Sequence, residues 1–199
     1  MPMLPLLLLI ACGSNTHIVQ SWRDPNVTIV DGSYNKVLVI CLIKDEGTRR
    51  VGEDRMAMFM NGRGVESYRY LGPDVDAIND ASTGERMRKD GIDGVVIMRL
   101  VDRTKEQTYV PGASYPAYYA SPYGYYGYAY PMYATPGYVR TDVNYFVETN
   151  LYSTKKEGLI WTSTTSTLNP TDLGNSVEEV MQVVYDKMIA EGFIVKSGQ

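Results

Sequence analysis

The stretch that decides the fold is the run Val37-Leu38-Val39-Ile40-Cys41-Leu42-Ile43. It is apolar at odd and even positions alike, so a strand formed here presents hydrophobic side chains on both faces of a sheet. Strands of this kind are typical of parallel sheets that have helices above and below them. The run therefore predicts a central strand over 36–43, in which the Cys41 thiol is buried and behaves as a small hydrophobic group.

The next segment favours an amphipathic helix. Residues 49–61 follow a plausible cap at Thr48 and precede Gly62 and Gly64, which are expected to end the helix. The apolar stripe consists of Met56, Phe59 and Met60. Two oppositely charged pairs one turn apart are expected to form a solvent-exposed face: Arg49 with Glu53, and Arg50 with Asp54.

Two further strands and a less regular helix are expected before the middle of the chain. Residues 65–71 predict a short strand with Tyr68 and Tyr70 on one face. A helical stretch over 74–89 follows, and a third strand is predicted over 95–101.

The C-terminal third predicts a hairpin and a helix. Residues 139–151 alternate with period two, which predicts a strand with one dry face, and 159–168 predict a Thr- and Ser-rich partner strand that carries Trp161. Ser176 and Glu179 match a capping box at the start of the last helix. Its apolar stripe consists of Val177, Val180, Met181, Val184, Tyr185, Met188 and Ile189.

The order of elements is β-α-β-α-β, a long Tyr-rich loop, and then β-β-α. It predicts a single domain of class α/β (α+β), with a mixed sheet of about five strands and about three helices. The chain has 199 residues and 44% hydrophobic content, which suffices for one core. The net charge of −4 and the scattered Lys and Arg residues argue against nucleic acid as a partner.

The first twelve residues predict that the protein is located in the cell envelope. Met1 to Cys12 carries no charge and ends in Leu9-Ile10-Ala11-Cys12, which resembles a bacterial lipobox, where a small residue precedes an acylated cysteine. Leu4 to Ala11 is too short to cross a hydrocarbon core of roughly 30 Å, so a processed signal is favoured over a spanning helix. Signals begin with basic residues and Met1–Pro5 has none, so either the true start lies upstream or the signal is poor.

The expected organisation is a lipoprotein signal peptide over 1–11, a lipidated tether over 12–33 and the α/β domain over 34–196. Acyl chains on Cys12 would anchor the protein in a membrane. Gly13 in place of Asp implies, by the sorting rule of proteobacterial lipoproteins, the outer membrane with the domain facing the periplasm. Trp22, within the tether, is expected to fold back onto the domain.

The domain also resembles a family. Val37 to Ile43, the turn Gly91-Ile92-Asp93-Gly94 before a strand, the hairpin from Leu151 to Trp161 and the amphipathic C-terminal helix resemble envelope lipoproteins of Gram-negative bacteria. Their α/β domain is similar in outline to the N-terminal domain of TolB and to LpoB-like and CsgG-like lipoproteins. The resemblance covers roughly 22–195 and implies a fold and a compartment, and it transfers no functional residue.

A Tyr/Gly/Pro-rich loop over 111–138 contains ten of the 17 tyrosines, and no charged residue lies between Glu106 and Arg140. Pro and Gly oppose both helix and strand. Three alternatives stay open: a low-complexity insertion, a recognition surface for sugars, peptides or headgroups, or a self-association tract. The candidate binding surface consists of Tyr115, Tyr118, Tyr119, Tyr123, Tyr125, Tyr126, Tyr128, Tyr130 and Tyr133.

Catalytic and metal-binding signatures are sparse. The one histidine, His17, lies in the expected tether, and neither a nucleophile elbow nor a Gly-rich phosphate loop is present. Asp74, Asp76 and Asp80 lack the following Gly and the terminal Glu of a calcium loop, which indicates a solvated helix start. The sequence therefore predicts no catalytic residue, no metal and no cofactor.

The expected function is that of a non-catalytic lipoprotein anchored in the outer membrane through Cys12. Its α/β domain and Tyr-rich loop would bind an envelope protein or cell-wall material such as peptidoglycan. The alternative is an oligomeric structural or secretion-assembly component, as CsgG-like lipoproteins are. An enzyme is the least favoured class.

Overall fold

The computed structural model describes residues 15–27, 34–72, 78, 81–110, 137–156, 158–170 and 172–194. The strands are β1 (Thr16–Arg23), β2 (Val37–Leu42), β3 (Gly64–Glu66), β4 (Gly94–Val110), β5 (Tyr138–Ser153) and β6 (Gly158–Leu168). The helices are α1 (Glu46–Phe59), α2 (Ser67–Tyr70), α3 (Ala81–Lys89) and α4 (Leu173–Ala190).

The strands form one six-stranded mixed sheet in the order β1-β6-β5-β4-β2-β3. β2 runs parallel to both β3 and β4, whereas the pairs from β4 to β1 are antiparallel. The predicted single α/β domain with a mixed sheet is therefore confirmed. The sixth strand is β1, which the sequence analysis assigns to the tether.

β1 occupies residues 16–23 because the edge of the sheet offers it backbone partners. It pairs antiparallel with β6 from Thr16 opposite Thr167 to Arg23 opposite Trp161. Its side chains do not alternate strictly between apolar and polar, so the sequence pattern does not indicate a strand. Backbone hydrogen bonds to β6 stabilise the strand instead. Trp22 lies on this strand and is about half exposed.

The core has two clusters, one on each face of β2. Val37, Val39 and Cys41 pack with α1 and α4 on one face. Leu38 and Ile40 pack against residues of α2 and α3 on the other. The predicted doubly covered strand is confirmed, as are the apolar stripes of the two long helices, whose members are buried or packed against the first cluster.

Glu53 of α1 is fully buried, so the expected surface face with Arg49 is wrong. Its Oε1 accepts hydrogen bonds from the Cys41 backbone N–H at 3.1 Å and the Ser67 hydroxyl at 2.6 Å. Its Oε2 accepts one from the Tyr68 backbone N–H at 3.0 Å. Arg49 is also buried, and Arg50 pairs with Glu46 rather than Asp54.

The Glu53 contact also explains why the predicted strand over 65–71 is wrong. Only 64–66 pair with β2, and the chain then turns into α2 at Ser67, whose hydroxyl and following N–H both bind the carboxylate. β3 reaches α1 so closely that a Cβ at Gly64 would lie 2.4 Å from the Ala57 Cα. Only glycine fits there.

The caps of the two long helices differ from those expected. α1 begins three residues early, and Asp45 accepts from the Thr48 backbone N–H at 2.8 Å, so Thr48 is not the cap. In α4 the cap is Asp172, which accepts from the Asn175 N–H at 2.9 Å. Glu179 binds Thr16 of β1 instead of closing a capping box.

β4 and β5 extend beyond their neighbours as a two-stranded arm, formed by residues 101–110 and 138–143. Among the described residues, β2 pairs with β4 only as far as Arg99, and β6 pairs with β5 only from Asn144 onward. Most arm side chains are exposed, including that of Val139. The dry face expected over 139–151 is therefore limited to the inner half of the strand.

Replacing Glu53 tests its structural role. Glu53→Ala leaves three buried or half-buried donors without an acceptor, which should lower the free energy of unfolding by about 3 kcal/mol or more. Glu46→Ala, an exposed change in the same helix, should cost less than about 0.5 kcal/mol. Urea unfolding followed by circular dichroism measures both; equal losses would contradict the role assigned to Glu53.

Asp93 connects three elements at the opposite, amino-terminal edge of β2. Its buried carboxylate accepts from the Asn35 and Lys36 backbone N–H groups and from Lys155 Nζ, each at 3.0 Å. Burial raises the pKa of Asp93, but these donors outweigh it and hold the pKa below its usual value. The carboxylate therefore favours the folded state in its ionised form.

This shift predicts how stability depends on pH. Because the folded pKa is depressed, the contribution of Asp93 is complete above the unfolded pKa of about 3.9 and is lost as pH falls through the folded pKa. Asp93→Asn should therefore cost about 1–3 kcal/mol at pH 7, and the difference from the parent should shrink below about pH 4. Unfolding free energies at several pH values measure this; a constant difference would contradict it.

Candidate binding groove

A groove opens at the carboxyl ends of the parallel strands. The chain leaves β2 for α1 and β3 on one side, and it returns through α3 to β4 on the other side. In open α/β sheets, such a reversal of strand order leaves a crevice at the carboxyl ends, where ligands bind. Here the crevice lies between that edge of the sheet and α4, beside the start of α1.

The groove has a volume of about 620 Å³ and a mostly aliphatic lining. A volume between about 300 and 1,000 Å³ is typical of sites that hold one small ligand. Its apolar residues are Leu42, Ile43, Met98, Leu100, Val147, Val177, Val180 and Met181, with Cys41 and Tyr145 beside them. Leu42 and Leu100 are 47% and 50% exposed, so apolar surface faces solvent at this site.

Gly52 determines how closely α1 packs against the wall of the groove. A Cβ at this position would lie 3.2 Å from both Met181 Cε and Val177 Cγ1, and 3.3 Å from Cys41 Sγ. All three of these neighbours line the groove. The missing side chain therefore lets α1 pack directly against the residues that form the wall.

The polar residues of the lining mostly have partners in the protein. Asp45 and Asp172 cap the two helices, and Ser176 donates to the Asp172 carbonyl at 2.6 Å. Arg99 pairs with Glu148 across β4 and β5 at 3.3 Å. Lys44, an exposed residue of the lining, is the exception and offers its ammonium group to a ligand. Burial of hydrocarbon is the main interaction that the remaining lining supplies.

The Cys41 thiol at the groove wall is not arranged as a nucleophile. It is fully buried, and burial followed by the nearby Glu53 carboxylate raises its pKa well above the usual range for cysteine. A thiol in this state holds its proton and is inert. The predicted burial of a free Cys41 thiol is confirmed.

Several residues singled out in the sequence lie outside the described residues. These are Cys12, the nine tyrosines of the candidate surface, and Asp74, Asp76 and Asp80. His17 lies in β1 and is not among the residues that line the groove. The described ranges contain no group of three or more metal-ligating side chains, and no helix within them is long and apolar enough to span a membrane.

Sequence reasoning missed the groove because its residues come from five elements. One signal was available: Leu42 and Leu100 continue the apolar runs of β2 and β4 beyond the residues that pack in the core. The contribution of α4 could not be read from its stripe, because Val177 and Met181 serve both the core and the groove.

The fold and the groove define a single α/β domain with an apolar site at the carboxyl ends of its parallel strands. The structure is similar to a variant PelC dodecamer from Paraburkholderia phytofirmans, with a TM-score of 0.45 and 11% identity over 83% of this chain and 95% of that one. A second PelC dodecamer from the same organism gives a TM-score of 0.44 and 9% identity over 85% and 95%.

The structure is also similar to lipoprotein GNA1162 from Neisseria meningitidis, with a TM-score of 0.39 and 12% identity over 78% of this chain and 98% of that one. No family model and no curated protein matches the sequence. These are similarities of structure to PelC and to a lipoprotein. They assign no family, and no side chain is carried over at these identities.

Proposed function

We propose that this chain is a non-catalytic, lipid-anchored protein of the bacterial cell envelope that binds an apolar group in its groove. The observation that carries the proposal is the apolar groove, whose lining contains half-exposed leucines and no nucleophile paired with a base. The anchor is the acylated Cys12, which precedes β1 by only a few residues. The outer membrane is the proposed location, with the domain facing the periplasm.

Binding in the groove can be tested with a neutral apolar dye. N-phenylnaphthylamine should bind the chain expressed from Gly13, which retains all described elements and lacks the apolar leader. Leu100→Asp, which places a charge at the half-exposed rim, should weaken dye binding about tenfold or more. Val19→Asp is the matched control, because Val19 is also half exposed on a strand but lies outside the groove. Equal binding by both variants would contradict the site.

The anchor can be tested by metabolic labelling with an alkyne fatty acid in a Gram-negative host. The full chain should incorporate the label and partition into the outer-membrane fraction, because one thioether-linked diacylglycerol and an amide-linked chain bind a bilayer firmly. Cys12→Ala should carry no label. Equal label in the two forms would contradict acylation at Cys12.

The Tyr-rich segment is proposed as a second binding surface, for a protein partner or peptidoglycan. It joins the ends of the arm, where Val110 and Tyr138 are paired. A short Gly/Ser linker in place of 111–136 should close this hairpin and change the melting temperature by only a few degrees. The same replacement should abolish co-sedimentation with isolated peptidoglycan or pull-down of the partner. A replacement that unfolds the domain would contradict the assignment of the tyrosines to a surface.

A second candidate function is oligomeric assembly, and the arm favours it. Within the described ranges both outer edges of the arm lack strand partners, and Tyr109 and Tyr138 at its end are 64% and 63% exposed. Open strand edges with apolar side chains are surfaces on which a second chain can pair. Sedimentation of the chain expressed from Gly13 separates the candidates, because a monomer at high concentration contradicts assembly.

A further inference from the structure

The chain enters the described structure at the rim of the groove. Thr16 lies opposite Thr167, a groove residue, and their hydroxyl oxygens are 2.9 Å apart. The Thr16 hydroxyl also donates to Glu179 of α4 at 2.9 Å, so the start of β1 is joined to the helix that walls the groove. Cys12 precedes Thr16 by four residues, a span of at most about 14 Å in an extended chain. A spacer of this length allows a group attached to Cys12 to reach the groove.

The residues that line the groove determine which class of ligand can bind there. Its interior is formed by branched aliphatic side chains and by the flexible Met98 and Met181, which adapt to an unbranched chain. A bound peptide would need partners for each buried N–H and carbonyl, and the rim groups Asp45, Arg99 and Asp172 are engaged within the protein. Hydrocarbon has no such requirement, so an aliphatic chain suits the groove better than a peptide segment.

We propose that the groove holds one acyl chain carried by Cys12 of the same molecule; this inference rests on the proposed acylation. The volume of about 620 Å³ suits a single ligand of moderate size rather than all the chains of a lipoprotein anchor. The remaining chains stay in the membrane. The domain is thereby held against the bilayer with its groove turned toward Cys12, instead of moving freely on a tether.

The test is photo-crosslinking of the full chain in living cells. Cells of a Gram-negative host are fed palmitic acid that carries an alkyne and a diazirine, and they are irradiated before the protein is purified and digested. The expected result is a cross-link from the acyl chain on Cys12 to peptides that contain Leu100, Val177 or Met181 of the same molecule. A link between two copies doubles the mass of the band on a denaturing gel, whereas a link within one chain leaves the mass at that of the monomer, so only the monomer band is digested for the intramolecular analysis.

Two variants serve as controls. Leu100→Asp should reduce the intramolecular cross-link about tenfold, whereas Val19→Asp should leave it unchanged. Circular dichroism is used to check that each variant is folded. If Leu100→Asp does not fold, Leu100→Trp replaces it, because an apolar ring at this half-exposed position fills the groove without a buried charge.

The outcomes separate the inference from the proposed function. A chain that is labelled at Cys12 but cross-links only to membrane lipid overturns the inference and leaves the anchor intact. Cross-links to the groove of a second copy overturn it in favour of pairing between chains. A chain without label at Cys12 overturns the anchor and the inference together.

Discussion

The carboxylate of Glu53 is the contact on which the carboxyl edge of the sheet depends. It binds the backbone of β2 at Cys41 and both the side chain and the backbone at the start of α2, so one buried group fixes three elements. A buried carboxylate is tolerated only because each of its oxygens has donors. Since Cys41 is the residue from which the groove wall continues to Leu42 and Ile43, the position of the binding site follows from this contact.

The two ends of β2 differ in a way that suits binding. At the amino end, Asp93 joins the start of β2 to the β5–β6 turn. The cavity beside Val37 at this end has a volume of only about 20 Å³. At the carboxyl end, β2 stops while β4 and β5 continue, which leaves an apolar strip of Leu100 and Val147 beside α4. The groove is thus a consequence of the unequal lengths of β2 and its neighbours β4 and β5.

Much of the fold followed from the sequence, because three segments have clear patterns: the apolar run at 37–43, the period of two over 139–151 and the helical stripe after 176. The elements that the sequence did not reveal are those that depend on contacts with residues distant in the chain. β1 forms because it pairs with the edge strand β6. β3 ends at residue 66 because the Ser67 hydroxyl binds the Glu53 carboxylate of α1. Glu53 looked like a surface residue because a helical charge pair has the same spacing whether it faces solvent or core. The groove, assembled from five elements, had no local pattern at all.

The central claim is that the groove binds an aliphatic chain, and methyl NMR of the methionines tests it most directly. The chain expressed from Gly13, with ¹³C-methyl methionine, is titrated with decanoate. The account predicts that the methyl signals of Met98 and Met181 shift, while that of Met58, 68% exposed on α1 and outside the groove, stays in place. Unchanged Met98 and Met181 signals at saturating decanoate, or equal shifts at Met58, would contradict it.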